Sequence, residues 1–236
     1  MNNKIEPEMK KKVGILFLVV CIGACSNAIK TESKTVSETE EPIEYEYYRL
    51  HKLFVVGDFD GDGEKDTLFL HHYSNITKTE IDSFPYPKDL EDWYDFVRYH
   101  DNQDIASYLT FNKKNKDTLH FGQSQILGLY CLINIGDNNS DGKDEIALVV
   151  NFADWTNMNA CMIYTLCNEK WTLLKEFEID EHAFDFSDGE MPVFQEIRGY
   201  LEKRNGKWFY LDFLEDFMGA ETDEIEMKPL KIEKCK

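Results

Sequence analysis

Two short acidic loops, each placed between apolar strand-like segments, constrain the fold of this chain more than any other feature. The first loop, residues 58–66, follows the run LFVVG and precedes TLFL. The second loop, residues 137–145, follows LINIG and precedes IALVV. Both place oxygen-bearing side chains at positions 1, 3, 5 and 9 and a glycine at position 6, where the backbone can turn. The pattern predicts two strand–loop–strand units of the same design.

The oxygen atoms of these loops suit a calcium ion. Four such side chains, the peptide carbonyl at position 7 and water make up the roughly six to eight hard ligands that calcium prefers. Without a cation, several carboxylates facing one another would repel. The pattern therefore predicts a structural cation in each loop, and the alternative is a pair of solvated turns. In the second loop, either Asp144 or Glu145 is a candidate for the closing ligand.

An EF-hand is the main competing interpretation of an acidic loop with a central glycine. That motif needs a bidentate Glu at position 12 and lies between two helices. Position 12 is Phe69 in the first loop and Leu148 in the second, and the flanking segments are strand-like. The sequence therefore argues against an EF-hand.

Both loops resemble the calcium motif of FG-GAP and VCBS-type repeats, which build the β-propeller heads of integrin α chains. The resemblance covers VVGDFDGDGEKDTLFL and INIGDNNSDGKDEIALVV. It implies two Ca²⁺ sites, with ligands from side chains and, at Glu64 and Lys143, from peptide carbonyls. The implied ligands are Asp58, Asp60, Asp62, Glu64 and Asp66 in the first site, and Asp137, Asn139, Asp141, Lys143 and Glu145 in the second.

The resemblance also bears on the architecture. A closed propeller needs at least about four blades, and the sequence contains only two of these motifs. We therefore expect antiparallel sheets that are similar to propeller blades but do not close into a full ring.

Residues 47–236 are predicted to form a single domain that is mainly β with inserted helices. Short runs rich in β-branched and aromatic residues recur between polar breaks, and their lengths favour strands. These predicted strands are 53–56, 67–71, 107–111, 118–121, 130–135, 146–152, 161–166 and 171–179. Residues 113–116 and 168–170 are predicted hairpin turns.

Two segments have helical spacing instead. Residues 87–99 and residues 192–203 each place apolar side chains three or four positions apart, and the second segment is followed by Asn205 and Gly206, a plausible helix stop. The apolar residues are Leu90, Trp93, Phe96 and Val97 in the first segment, and Val193, Phe194, Ile197 and Leu201 in the second. We interpret the first stripe as core packing, with a ligand platform as the alternative.

The N-terminus has the parts of an export signal. Lysines at positions 10–12 precede an apolar stretch, residues 13–24, that is shorter than the roughly 20 residues a membrane-spanning helix needs. The sequence Ile-Gly-Ala-Cys ending at Cys25 resembles the lipobox of bacterial lipoproteins. It implies a signal peptide at residues 1–24, lipidation of Cys25, and anchoring in the bacterial cell envelope on a periplasmic or cell-surface face. An ordinary signal peptide and a transmembrane anchor are the alternatives.

The region after Cys25 is polar and acidic. Residues 25–46 are rich in Ser, Thr, Glu and Lys, which is typical of a flexible linker. The whole chain has 26 basic and 45 acidic side chains, and removal of residues 1–24 takes away four lysines and two glutamates, leaving 22 against 43. This charge repels phosphate backbones, so nucleic acid is excluded as an expected partner. The membrane, reached through the lipid, and a protein or glycan ligand remain.

Cysteine spacing limits the possible disulfides. Four cysteines follow Cys25, at positions 131, 161, 167 and 235. Cys161 and Cys167 lie in one predicted strand, which would separate their Cα atoms by about 20 Å, whereas a disulfide spans at most about 7 Å. Any disulfide should therefore involve Cys131 or Cys235, and free thiols are the alternative.

The sequence contains no catalytic signature. It lacks GxSxG, CxxC, Walker and GxGxxG motifs, and its six histidines show no zinc-ligand spacing, so no catalytic residue is predicted. We expect a non-enzymatic lipoprotein whose calcium-stabilised domain binds a protein or a glycan. The alternative is a hydrolase of glycans or phosphoesters with structural calcium, which would require a cleft lined by convergent carboxylates.

Overall fold

The fold is described by a computed structural model that covers most of the predicted domain. It describes residues 43–113, 116–121, 125–154, 156–184, 194–217 and 226–235. The predicted signal peptide, Cys25 and residues 26–42 of the linker lie outside these ranges. In the part of the chain that the structure describes, no helix is both long enough and apolar enough to cross a membrane.

The strands form four antiparallel sheets. A two-stranded ribbon pairs β1 (Tyr45–Arg49) with β5 (Ser83–Pro87). The second sheet contains, in spatial order, β2 (Phe54–Gly57), β3 (Asp66–Ser74), β6 (Ile105–Phe111) and β7 (Leu119–His120), and β4 (Thr79–Glu80) also pairs with β3. The third contains β11 (Lys170–Asp180), β10 (Met158–Cys167), β9 (Glu145–Phe152) and β8 (Ile126–Gly136). The fourth contains β12 (Leu201–Arg204), β13 (Lys207–Tyr210) and β14 (Lys228–Pro229).

The mainly β fold without a closed propeller is confirmed. Each of the predicted strands overlaps an observed one, and within the described ranges no sheet closes into a barrel or ring. The predicted turn at 168–170 connects β10 to β11, and Asn168 and Glu169 both have positive φ there. The predicted turn at 113–116 lies between the paired strands β6 and β7, although residues 114 and 115 are not described. β1 begins at Tyr45, two residues before the predicted start of the domain at residue 47.

The first predicted helix is present but begins later than expected. Helix α1 spans Trp93–Asp101 and is capped by Asp92, whose carboxylate accepts a hydrogen bond from the Asp95 N–H at 2.9 Å. Residues 83–87 belong to β5, so Pro87 does not start the helix. Phe96 is buried on the core face, whereas Trp93 remains 41 % exposed. The remaining short helices are a 3₁₀ turn at Glu181–Ala183 and a π-helical turn at Phe213–Phe217.

The second predicted helix, residues 192–203, is wrong over its described part. Ile197 and Leu201 face each other across a tight turn and exchange two backbone hydrogen bonds, of 2.9 and 2.7 Å. Residues four apart are neighbours at such a turn as well as on a helix, so their apolar spacing imitated a helical stripe. Asn205 and Gly206 have φ of 52° and 77° and form the hairpin turn between β12 and β13 instead of a helix stop.

Strand β9 lies at the centre of the core because it is buried on both faces. Ile146, Leu148 and Val150 join an apolar cluster that includes residues of β3 and β6. Ala147 and Val149 point to the opposite face and join a cluster that includes residues of the C-terminal sheet. Burial on both faces explains why this strand appears in the sequence as a continuous apolar run rather than an alternating one.

A disulfide joins Cys167, the last residue of β10, to Cys235 near the C-terminus, with Cα atoms 5.7 Å apart. Cys131 and Cys161 are free and buried. The prediction that Cys161 and Cys167 do not pair is therefore confirmed.

We expect the Cys235→Ser substitution to lower the free energy of unfolding by about 2–5 kcal/mol, because the disulfide closes a long loop and thereby restricts the unfolded chain. The two cysteines are 68 positions apart. Urea unfolding of the wild type and the variant, each with and without reductant, measures the effect. Reductant should destabilise the wild type and leave Cys235→Ser unchanged. Equal responses of the two proteins to reductant would contradict the assignment.

Candidate metal-binding site

The two acidic loops occupy equivalent places in two hairpins. The first loop connects β2 to β3, and the second connects β8 to β9. In each hairpin the glycine before the loop pairs with the last acidic residue of the loop, as Gly57 does with Asp66 and Gly136 with Glu145. The repeated spacing in the sequence therefore corresponds to a repeated register in the structure.

The backbones of the two loops also share their internal hydrogen bonds. The glycine N–H at position 6 donates to the carboxylate at position 1, from Gly63 to Asp58 and from Gly142 to Asp137, both at 3.0 Å. The N–H at position 5 donates to the side-chain oxygen at position 3, and the N–H at position 7 donates to the carboxylate at position 5. The contacts from position 5 to position 3 are Asp62 to Asp60 at 3.2 Å and Asp141 to Asn139 at 2.9 Å. Those from position 7 to position 5 are Glu64 to Asp62 at 2.8 Å and Lys143 to Asp141 at 3.0 Å.

These turns draw most of the predicted acidic ligands together. In each loop three carboxylates have oxygen atoms that lie within 4.8 Å of one another. The converging residues are Asp58, Asp60 and Asp66 in the first loop, and Asp137, Asp141 and Glu145 in the second. Asp62 is not part of the first group. The ligand roles of Asn139 and of the carbonyls of Glu64 and Lys143 stay predictions from the resemblance.

Two lysine side chains, which the sequence pattern did not reveal, bring positive charge to the first loop. The ammonium of Lys113 lies 2.6 Å from Asp62, 2.8 Å from Asp66 and 3.4 Å from Asp60. Lys116 lies 3.1 Å from the same Asp60 oxygen. The hydrogen bond from Lys113 lowers the pKa of the Asp62 carboxyl, and the contacts with Asp62 and Asp66 raise the pKa of Lys113.

The second loop contains a buried carboxylate that forms no ion pair with any Lys or Arg of the described residues. Glu145 is fully buried; one of its carboxylate oxygens accepts a 2.7 Å hydrogen bond from the Asn138 N–H, and the other has no hydrogen-bond partner. Burial raises the pKa of the Glu145 carboxyl to about 7, and the neighbouring carboxylates of Asp141 and Asp137 add to that rise. This loop therefore holds unbalanced negative charge.

The two loops are joined by Asp144. Its N–H donates to the Asp58 carbonyl at 2.8 Å, and its carboxylate accepts from the Asp58 N–H at 3.0 Å. Asn134 completes the junction by donating to the Asp144 carboxylate and to the Val56 carbonyl, both at 2.9 Å. Asp144 thus faces the first loop, while Glu145 faces the acidic cluster of the second. No feature of the sequence distinguished this bridging role.

A separate cleft of about 400 Å³ lies beside α1. Phe96 contacts the rings of Tyr48, Tyr86 and Trp93, with ring centroids 4.9–5.4 Å apart. Charged side chains also line the cleft, namely Glu46, Lys88 and Asp92. Phe96 is buried, as the core-packing interpretation predicts, and Trp93 is exposed; the ligand platform stays a prediction.

No family model, curated protein or solved structure matches this chain. The resemblance to FG-GAP and VCBS-type repeats accordingly stays a prediction that rests on the two loop sequences.

We expect Gly57→Ala to destabilise the domain by about 1–3 kcal/mol, because there is no room for a methyl group at the junction. A Cβ atom at this position would lie 2.7 Å from both an Asp144 carboxylate oxygen and the Phe59 ring, and would also clash with Asn134. Urea unfolding measures the loss. Val56→Ala is the matched control, since Val56 is the neighbouring strand residue and is 41 % exposed. A loss for Gly57→Ala no greater than that of the control would refute the close approach.

Proposed function

We propose that this protein is an exported lipoprotein, anchored through Cys25 in the bacterial cell envelope, whose calcium-stabilised β domain binds a protein or glycan ligand. The N-terminal sequence supports the anchor, and the long acidic linker would hold the domain away from the membrane. The acidic loops support the calcium, and the aromatic cleft supports the binding role.

The observation that carries the calcium proposal is the buried, unbalanced carboxylate of Glu145. A carboxylate removed from water costs several kcal/mol unless a charge or hydrogen bonds compensate it. Here one oxygen has no hydrogen-bond partner, and Asp137 and Asp141 bring further negative charge within 4.8 Å. A divalent cation bound among these three groups would remove the imbalance.

The chemistry of the donors favours calcium. The carboxylates of Asp137, Asp141 and Glu145 are hard oxygen donors, and the resemblance adds the Asn139 amide oxygen and the Lys143 carbonyl. Calcium accepts such mixed oxygen sets in irregular geometry, whereas magnesium demands a near-ideal octahedron and retains its water. A site of this kind has a structural effect, because it fixes the loop that precedes the central strand β9.

Of the two candidate ligand classes, protein and glycan, the aromatic cleft favours a glycan. Ligand sites are commonly lined by aromatic rings together with a few polar groups that fix orientation. Tyr86 and Trp93 offer ring faces, and Glu46, Lys88 and Asp92 offer hydrogen-bonding groups for hydroxyls. The hydrolase alternative has less support, because the two carboxylates that line this cleft have structural partners: Glu46 accepts a hydrogen bond from the Tyr86 hydroxyl at 2.8 Å, and Asp92 caps α1.

Calcium should raise the melting temperature of the full-length chain. At calcium concentrations tenfold above a Kd on the order of 0.1–1 mM, one site contributes about 1.4 kcal/mol, or about 3–5 °C for a domain of this size. Thermal unfolding with EDTA, with calcium and with magnesium measures the shift. Asp141→Ala and Glu145→Gln should abolish it, because each removes a ligand of the second loop.

The matched control for these variants is Asp144→Asn, which changes the adjacent acid that faces away from the cluster. Its own stability will be altered at the junction, but its calcium-induced shift should persist. A wild type with equal melting temperatures in EDTA and in calcium would refute the calcium proposal.

The cleft leads to a prediction about ligand binding. On an array of neutral oligosaccharides, we expect the wild type to bind and Trp93→Ala to lose at least about tenfold in affinity, since a stacked aromatic anchor commonly contributes 1–2 kcal/mol or more. Tyr94→Ala is the control, because Tyr94 is the next residue of α1 and does not line the cleft. Undiminished binding by Trp93→Ala would exclude the cleft as the glycan site.

A further inference from the structure

We propose that the domain binds one divalent cation, in the second loop, and that the Lys113 ammonium is the built-in cation of the first loop. This inference rests on the proposed calcium binding and assigns it to one of two loops that the sequence treats as equivalent. The first loop would then be a site in which a side chain of the same domain has taken the place of the metal.

The ammonium of Lys113 lies against two of the three converging carboxylates of the first loop, those of Asp60 and Asp66. It contacts oxygen atoms of Asp60, Asp62 and Asp66, all three of which the resemblance designates as ligands. Its contacts with Asp60 and Asp62 are hydrogen bonds, whereas its contact with the buried Asp66 is an ion pair; neither Asp66 carboxylate oxygen has a hydrogen-bond partner among the described residues. A calcium ion bound at about 2.3–2.6 Å from the same oxygens would overlap with the ammonium, so binding requires that Lys113 leave.

Strand register places Lys113 at this point. β3 pairs with β6 through Leu68 and Phe111, and the ladder continues beyond β6 with a 2.9 Å hydrogen bond from the Asn112 N–H to the Thr67 carbonyl. One further step in the same antiparallel register sets Lys113 opposite Asp66. The lysine is therefore held in position by the sheet and is not a chance surface contact.

The second loop has no equivalent lysine. There β9 pairs with β10 through Ile146 and Tyr164, and one further step sets Thr165 opposite Glu145. Thr165 is buried, and its hydroxyl has no hydrogen-bond partner. The first hairpin thus has a lysine at the register position where the second has a neutral threonine.

The lysines near the second loop point elsewhere. The Lys143 ammonium donates to the Leu166 carbonyl, and that of Lys234 donates to the Ser140 carbonyl, both at 2.7 Å. Across the described ranges, no Lys or Arg forms an ion pair with Asp137, Asp141 or Glu145. The second cluster therefore retains the charge that an external cation would neutralise.

A second lysine, Lys116, adds to the difference in positive charge between the two loops. Lys116 bridges Asp60 of the first loop and Glu169 in the turn after β10, at 3.1 and 2.8 Å. A metal entering the first loop would have to compete with two ammonium groups, which form ion pairs with three of its four aspartates, Asp60, Asp62 and Asp66. The affinity of the first loop for calcium should therefore be far below that of the second.

The decisive experiment measures calcium stoichiometry by equilibrium dialysis of the full-length chain. The wild type should bind one calcium per chain, and Lys113→Met should bind two, because removal of the ammonium exposes the first cluster. Lys65→Met is the matched control, since Lys65 lies in the first loop but forms no ion pair, and it should bind one. In the wild-type background, Asp60→Ala should leave the single calcium in place and Asp141→Ala should remove it.

Other outcomes separate this inference from the calcium proposal. Two calcium ions in the wild type, one of them lost in Asp60→Ala, would overturn the role of Lys113 and leave calcium binding intact. A single calcium in both the wild type and Lys113→Met would also overturn it. No calcium in any variant would refute both. If Lys113→Met fails to fold, the contrast between Asp60→Ala and Asp141→Ala still decides which loop binds.

Discussion

The burial of two acidic side chains at the beginnings of core strands is the constraint on which the structure depends. Asp66 starts β3 and Glu145 starts β9, and both are fully buried. A carboxylate in that environment is unfavourable unless its charge is balanced. The residue two positions further along each strand, Leu68 in β3 and Ala147 in β9, is fully buried in the core. Neither carboxylate can therefore move toward water without shifting its strand. Packing of the core and the charge of the loops are therefore coupled in both hairpins.

The two acidic loops are physically connected. The hydrogen bonds between Asp58 and Asp144 fasten the loops to each other, so each loop is part of the other's surroundings. The C-terminal segment also contacts the second loop. There the Lys234 ammonium donates to the Ser140 carbonyl, and the disulfide of Cys235 ties that segment to the end of β10. A loop supported by both sets of contacts needs little further ordering when it binds a ligand, which favours affinity.

Local spacing was enough to predict the strands that flank the acidic loops, both loops and the convergence of the carboxylates, because each of these depends on residues that are close in sequence. Two features depended on information that spacing does not contain. The role of Lys113 follows from the register of β3 against β6, strands that are separated in the chain by β4, β5 and α1. The second predicted helix failed because Ile197 and Leu201, four residues apart, satisfy both a helical face and a tight turn, and only the surrounding sheet distinguishes the two.

A lysine and a metal ion neutralise a loop under different conditions. An ammonium attached to the domain is present at every calcium concentration, and its carboxylate contacts raise its pKa further, so its charge is constant across physiological pH. A bound divalent cation is in exchange with the medium, and its contribution to stability varies with the logarithm of its concentration. If the second loop alone takes the metal, the hairpin of β2 and β3 keeps its geometry in any medium, while the hairpin of β8 and β9 is tightened only where calcium is abundant. Because Asp144 and Asp58 bind the two together, the constant loop would serve as the fixed support against which the conditional loop is ordered.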